Sequence, residues 1–137
     1  LVAYGDCLSD IDIQEMVESH RRQQSLATVA IAHPTGRNEI LALNEQGCYI
    51  GTKQGKKQKH SWVNACSMVL EARAFDYLKE NQENHFALSL MDCLAAHEPV
   101  QTYRHEGFWS PVETIRDKTW MENLWAQHKA PWKVWED

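Results

Sequence analysis

The sequence predicts one α/β domain over residues 1–137, built from a mixed β-sheet with packed helices and a β-hairpin. An apolar segment at 1–4, a helical periodicity at about 11–24 and a run rich in β-branched residues at 27–32 follow the order of a parallel strand–helix–strand unit. Two more apolar arms, at 39–43 and 48–51, are joined by the turn-rich Asn44-Glu45-Gln46-Gly47 and predict the hairpin. The length suits one hydrophobic core and is too short for two ordinary ones.

The first helix is indicated by a cap and by one apolar face. Ser9 followed by Asp12 resembles a capping box. The residues at i, i+3, i+4 and i+7 of the following stretch share one side of a helix, which we expect to pack on the sheet: Ile13, Met16, Val17 and His20.

The rest of the chain alternates strands and helices. We expect a solvated loop at 53–60, a strand at 62–70, helices at 72–79 and 85–96, and a strand at 100–103. A last helix is predicted from roughly Pro111 to Gln127. The five tryptophans between Trp109 and Trp135 are more typical of a core or an oligomer interface than of a ligand site.

Charge and hydropathy exclude two classes of partner. The formal net charge is -5, and the basic residues are scattered except for one short run: Lys53, Lys56, Lys57 and Lys59. Without a broad positive face, nucleic acid is not an expected partner. No stretch approaches the roughly 20 apolar residues that cross a bilayer, and the first residues lack the basic start of a signal peptide. We therefore expect a cytoplasmic protein with no membrane partner.

The cysteines and histidines do not form a recognisable metal motif. Cys7, Cys48, Cys66 and Cys93 are far apart and include no C-x-x-C pair, so we expect four reduced, mostly buried thiols. The seven histidines lack metal-ligand spacing, and we expect His105 to pack or hydrogen-bond rather than to act as a base.

Three segments, taken together, carry a family resemblance. The first is Tyr4-Gly5-Asp6, and the second is Trp62-Val63-Asn64 with Phe75-Asp76-Tyr77-Leu78 after it. The third and most specific runs from Tyr103-Arg104-His105-Glu106-Gly107-Phe108-Trp109 through Glu113-Thr114-Ile115-Arg116-Asp117-Lys118 to Ala130-Pro131-Trp132-Lys133-Val134-Trp135. In order and spacing they resemble the sugar-1-phosphate nucleotidyltransferases, in particular the C-terminal half of the glucose-1-phosphate cytidylyltransferases. The resemblance implies part of a Rossmann-like nucleotidyltransferase fold.

The resemblance also implies a magnesium site. In the family, an aspartate after Tyr-Gly and an aspartate in a Met-Asp-Thr segment hold the catalytic Mg²⁺, and the matching positions here are Asp6 and Glu113. Glutamate moves its carboxylate outward by about 1.5 Å, one carbon–carbon bond, although Mg²⁺ requires near-ideal octahedral geometry. The alternative is structural: Asp6 suits a turn and Glu113 suits the first turn of a helix.

The sugar-phosphate positions of the family are less well retained. Its Glu-Lys-Pro triplet corresponds to Thr52-Lys53-Gln54, so only Lys53 matches, and its Asn-Gly-Gly corresponds to Asn64-Ala65-Cys66. The family's Arg-Phe-Gly corresponds to Gly36-Arg37-Asn38, which retains Arg37. Lys53, Asn64 and Arg37 are therefore the candidate ligands of a sugar phosphate or nucleotide sugar. As alternatives, Lys53 is a surface charge and Asn64 bonds neighbouring backbone.

The 137 residues contain no G-x-G or P-loop pattern for a triphosphate. Since they open on Leu1 in an apolar segment, they read as the later part of a longer family sequence. We expect a diverged relative that is not catalytic alone and retains weak sugar-phosphate binding. The alternatives are a fragment of an active enzyme completed by another chain, and an assembly module without a ligand. Because the first strand would lie inside the family's sheet, we also expect a homo-oligomer that covers its bare edge.

Overall fold

The computed structural model describes residues 1–34, 39–53, 61–80 and 86–136. The strands are β1 (Val2–Ala3), β2 (Cys7–Ser9), β3 (Ala27–Ala32), β4 (Ile40–Leu43), β5 (Tyr49–Lys53), β6 (Val63–Leu70), β7 (Val100–Arg104) and β8 (Trp109–Pro111). The α-helices are α1 (Ile13–Gln23), α2 (Phe86–Ala95) and α3 (Ile115–Ala126), and a 3₁₀ helix spans Ala72–Glu80.

Six strands form one mixed sheet in the order β1-β6-β3-β7-β5-β4, and β2 pairs with β8 separately. β3 and β7 are parallel, whereas every other pairing is antiparallel. The predicted α/β class, the mixed sheet and the β4–β5 hairpin are confirmed. The predicted strand–helix–strand unit differs in one respect: β1 and β3 point the same way, but β6 lies between them and is antiparallel to both.

β3 lies at the centre of the core, and all six of its residues are buried. Side chains alternate between the two faces of a strand. Val29 and Ile31 join a cluster with Leu90 of α2, whereas Ala30 joins a second cluster with Met16 of α1. The helices α1 and α2 therefore cover opposite faces of the sheet, which accounts for the burial of every residue of β3.

The first helix begins later than predicted. Its N-cap is Asp12, whose carboxylate accepts a hydrogen bond of 2.9 Å from the Glu15 amide, and Ser9 instead belongs to β2. The predicted capping box from Ser9 to Asp12 is therefore wrong. Of the predicted apolar face, Met16 and His20 are buried and Ile13 is 39% exposed.

The last helix is also shorter than predicted. Residues from Trp109 to Pro111 form β8, because they pair with Cys7–Ser9. α3 then starts from a capping box, in which Thr114 accepts from the Asp117 amide and Asp117 accepts from the Thr114 amide. Among smaller differences, the 72–80 segment is a 3₁₀ helix, and Lys53 ends β5 rather than opening a loop. In the described part of the chain, no helix combines the length and apolar character needed to cross a membrane.

Candidate functional site

The site begins with an irregularity in β6. Between Val29↔Met68 and Ile31↔Asn64 the register shifts, so three residues of β6 oppose one residue of β3. At this bulge Cys66 has a left-handed backbone, with φ +63°. The Cys66 amide donates to Asn64 Oδ1 over 2.8 Å, which fixes the turn of the bulge. A side chain at such a φ is uncommon, and glycine is the residue that adopts it without a steric penalty.

The bulge brings two distant segments together. The ladder between β1 and β6 continues past Ala3, because the Tyr4 amide donates to the Cys66 carbonyl over 2.9 Å. The chain then turns at Gly5 and passes Asp6 and Cys7 beside the bulge. As a result, an oxygen of Asp6, Cys7 Sγ and Cys66 Sγ all lie within 4.8 Å of one another.

Glu113 lies at the same end of the β2–β8 pair as Asp6. Cys7 is opposite Pro111, and the Val112 amide donates to the Asp6 carbonyl over 2.8 Å. Because β2 and β8 are antiparallel, Asp6 just before β2 and Glu113 just after β8 lie at the same end of the pair. Both side chains are exposed. The charges of both carboxylates act on the Cys66 thiol. Their role as metal ligands stays a prediction.

The two thiols differ in how readily they ionise. Contact between the two sulfurs, which lie within 4.8 Å of each other, lowers the pKa of Cys7 and raises the pKa of Cys66. Burial works against the first shift and adds to the second, because it disfavours either thiolate. The Asp6 carboxylate raises both pKa values. Cys7 is therefore the more readily ionised sulfur of the pair.

Two aromatic side chains enclose this cluster. Trp109 is only 4% exposed; its indole N–H lies beside Cys7 and helps to lower the pKa of that thiol, without making a well-aligned hydrogen bond to any described residue. The Tyr4 hydroxyl is buried next to Asn64, also without a well-aligned bond. Burial and the neighbouring Cys66 raise the pKa of Tyr4. Polar groups left unpaired in a buried place cost stability, which makes this corner unusual within the fold.

The donor set suits Mg²⁺ only in part. Asp6 and Glu113 offer the carboxylate oxygens that Mg²⁺ prefers. Cys7 and Cys66, however, place two sulfur atoms against Asp6, and thiolates are soft ligands that select other metals. The oxygen donors therefore fit magnesium, whereas the sulfur donors do not.

The predicted sugar-phosphate residues have different surroundings. Lys53 is exposed at the end of β5 opposite Ile40, and the next residue of β4, Leu41, donates its amide to the Trp62 carbonyl over 2.8 Å. This hydrogen bond links the Lys53 end of the hairpin to the start of β6, the strand that carries Asn64. Asn64 is partly buried and already accepts a bond from the Cys66 amide, while its Nδ2 lies 3.8 Å from Met91 Sδ. Arg37 lies outside the described residues.

A polar group near the start of β6 escaped the sequence analysis. The His33 ring stacks on Trp62 with centroids 4.3 Å apart, and the Arg104 guanidinium lies 5.6 Å from the Trp62 ring centre. His33 Nε2 lies 3.1 Å from a Glu106 carboxylate oxygen. His33 and Arg104 stand at the carboxyl ends of the parallel strands β3 and β7, where open α/β sheets bind ligands. Trp62, Arg104 and Glu106 belong to the segments that carry the family resemblance, but nothing in the sequence indicated that His33 would join them.

The segment after β7 is held by His105. As predicted, this histidine serves hydrogen bonding: it is buried, with Nε2 3.0 Å from the Phe108 carbonyl and 2.9 Å from Asp10 Oδ1. Gly107 packs so tightly against this pair that an added Cβ would approach Asp10 Oδ1 to 2.6 Å. Any larger residue at 107 would therefore displace the Asp10 or His105 side chain and disturb their contact.

Next to β8 lies an open cleft of about 500 Å³. Its lining residues include Phe108, Trp109, Glu113, Asp117 and Trp120. The cleft therefore presents aromatic rings beside one of the predicted metal-ligating carboxylates. Aromatic faces beside polar groups are typical of sites for small molecules.

Comparison with known proteins identifies relatives that match nearly the whole chain. No protein-family model matches the chain. The chain is 33% identical over 137 residues to the glucose-1-phosphate cytidylyltransferase of Salmonella typhi, and 31% identical over 136 residues to that of Salmonella typhimurium. Each match covers 99% of this chain and 52% of the relative, so the chain spans about half the length of the relatives it matches.

Solved structures show the same fold at low sequence identity. A protein assigned as a glucose-1-phosphate thymidylyltransferase from Bacillus anthracis superposes with a TM-score of 0.72 at 15% identity, over 97% of this chain and 54% of that one. An apo UDP-glucose pyrophosphorylase superposes with a TM-score of 0.67 at 13% identity, over 90% and 51%. The chain is thus a homologue of the C-terminal half of glucose-1-phosphate cytidylyltransferases, with the fold of sugar-1-phosphate nucleotidyltransferases.

Proposed function

We propose that these residues form the cation- and sugar-phosphate-binding side of a nucleotidyltransferase cleft. Asp6 and Glu113 would face a divalent cation, which is Mg²⁺ in the family that the sequence resembles. Lys53, Asn64 and Arg37 would face the sugar phosphate. The observation that carries the proposal is the convergence of Asp6 and Glu113 at one end of the β2–β8 pair, beside the bulge that holds Asn64.

The proposed activity of this segment is binding rather than catalysis. Transfer of a nucleotidyl group needs donors around the triphosphate as well as a cation, because the reaction depends on positioning and on neutralising phosphate charge. In the family resemblance, a Gly-rich segment supplies those donors, and it belongs to the half of the relatives that these residues do not match. Substitution of Asp by Glu at 113 and of Gly by Cys at 66 further supports a weakened site.

Ligand-dependent thermal stabilisation tests the binding proposal. Glucose 1-phosphate at ten times its Kd should raise the free energy of unfolding by about 1.4 kcal/mol, because a ligand that binds only the folded state stabilises it. Lys53→Ala and Asn64→Ala should reduce the ligand-induced shift in Tm. Lys129→Ala, which removes an exposed charge beyond α3, is the matched control. An equal shift in all four proteins would contradict the assignment.

An active half-enzyme is the alternative, favoured by the nearly complete coverage of this chain in the match. Adding a separately expressed N-terminal half of a relative should then restore pyrophosphate release from CTP and glucose 1-phosphate. The release should disappear again in Asp6→Ala and remain in Asp76→Ala. Absence of release with every complementing half would remove this alternative and leave the binding proposal intact.

Self-association is the second proposed property. Several large apolar side chains are at least 47% exposed, and they concentrate in α3 and the segment after it: Ile115, Trp120, Trp125, Val134 and Trp135. A surface of this kind is typical of an interaction site. We infer that a second copy covers it, so Tm should fall on dilution in the parent protein and fall less in Trp125→Ser. A monomer by light scattering at high concentration would contradict this.

A further inference from the structure

The cluster of Asp6, Cys7 and Cys66 points to a cation other than magnesium. Its three candidate ligand atoms come from positions 6, 7 and 66, and they lie within 4.8 Å of one another. We propose that this cluster binds a thiophilic divalent cation, Zn²⁺, through the two cysteine sulfurs and the Asp6 carboxylate. The inference concerns the cation alone and holds whether or not the chain binds a sugar phosphate.

The spacing of the three atoms is near that of a zinc site. With Zn–S bonds of about 2.3 Å and Zn–O bonds of about 2.0–2.2 Å in tetrahedral geometry, ligand atoms lie roughly 3.5–3.8 Å apart. The separations here are at most 4.8 Å. Rotation of the side chains that moves each ligand atom by about 1 Å would therefore bring the atoms to zinc-binding distances. The backbone of Cys66 is already fixed by two hydrogen bonds: its carbonyl accepts from the Tyr4 amide and its amide donates to Asn64 Oδ1.

A second observation comes from Trp109. Its indole N–H is buried beside Cys7 and makes no well-aligned hydrogen bond among the described residues. A metal-bound thiolate accepts such a hydrogen bond, and donors around the ligands orient them and tune the metal. Binding of a cation would therefore give this donor a charged acceptor.

Glu113 is the candidate fourth ligand. It lies at the same end of the β2–β8 pair as Asp6, and its charge acts on Cys66. Two thiolates and two carboxylates would satisfy tetrahedral Zn²⁺, whereas Mg²⁺ requires about six oxygen ligands. Zinc should therefore displace magnesium here, with release of the protons of both thiols.

The experiment uses the full chain, reduced and stripped of metal, titrated with Zn²⁺ against a chromophoric chelator. We expect one zinc per chain, unaffected by millimolar Mg²⁺, and a cobalt-loaded form whose spectrum shows thiolate-to-metal charge transfer and tetrahedral coordination. Cys7→Ser, Cys66→Ser and Asp6→Asn should each weaken binding at least tenfold. Cys93→Ser, which changes a partly buried thiol on α2, should not.

Asp6 is exposed, so Asp6→Asn keeps the test valid even if a cysteine variant fails to fold. Zinc affinity unchanged in Cys7→Ser and Asp6→Asn would mean that the metal binds elsewhere and would overturn the proposal. So would a cobalt spectrum without thiolate bands, displacement of zinc by magnesium, or a Cys7–Cys66 disulfide in place of metal uptake.

Discussion

β3 and α3 are both rich in apolar residues, yet β3 is far more buried than α3. All six residues of β3 are buried, whereas Met121 is the one buried residue of α3. The apolar residues of β3 alternate between two covered faces. Those of α3 at 115, 120 and 125 are five positions apart, so each is rotated about 140° from the last and no single stripe contains them. The arrangement of apolar residues, rather than their number, determines what each element can bury.

We expect the largest difference in the free energy of unfolding between truncation of a side chain packed on β3 and truncation of one on α3. Leu90→Ala should lower the free energy of unfolding by about 2–5 kcal/mol, because Leu90 is fully buried in the cluster with β3 and would leave a cavity. Ile115→Ala, at a side chain that is 83% exposed, should change it by less than about 0.5 kcal/mol. Chemical denaturation measures both. Similar losses would show that α3 is packed, against a second copy or otherwise.

Loss of the α3 cap should have a smaller and more local effect. Thr114→Ala removes the hydroxyl that accepts from the Asp117 amide, at a cost of about 1 kcal/mol. Since little of α3 is buried, we expect faster amide hydrogen exchange within α3 and unchanged protection of β3. Thr119→Ala, within the same helix, is the control. Loss of protection in both regions would mean that α3 unfolds together with the core.

The same cap should make α3 sensitive to acid. Hydrogen bonds from Thr114 lower the pKa of Asp117 below the ordinary aspartate value. A lowered pKa means that the contribution is complete above the ordinary value and is lost as the pH falls through the lowered one. Helix content of α3 should therefore decline only in strong acid, which nuclear magnetic resonance can follow residue by residue. Asp117→Asn should make that decline smaller.

The bulge in β6 gives the smallest expected change, with the opposite sign. In the metal-free protein, Cys66→Gly should raise the free energy of unfolding by about 0.5–1 kcal/mol, because glycine relieves the left-handed backbone. Ala65→Gly, at the neighbouring buried position, should lower it by a similar amount. Urea denaturation distinguishes the two signs. If both variants lowered the free energy of unfolding, packing of the Cys66 side chain would stabilise the protein by more than its left-handed backbone destabilises it.

Local sequence patterns predicted the elements whose structure is indicated by their own residues. β3 is a β-branched run ended by Pro34, and both of its ends match the prediction. β8 escaped prediction because its three residues become a strand only by pairing with Cys7–Ser9, a hundred positions away. Pairing partners at that distance leave no trace in a local periodicity.

The residues of the candidate site likewise fall into those that the sequence predicted and those that it did not. Asp6 and Glu113 were found through the family resemblance, since neither residue stands out in its own neighbourhood. The Cys7–Cys66 pair has no short spacing that indicates a metal site, and it forms only because the β6 bulge turns Cys66 toward the end of β1. Alignment of Cys66 with a family glycine was the one available sign that the backbone there is special.

The central claim is that Asp6, Asn64, Cys66 and Glu113 line one ligand site. Nuclear magnetic resonance tests this claim. The isotopically labelled protein is titrated with glucose 1-phosphate in the presence of a saturating divalent cation, and the amide resonances are followed. We predict that the amide resonances of these four residues shift together with a single Kd, while that of Trp125 in α3 does not. An unchanged spectrum, or shifts confined to α3, would contradict the account.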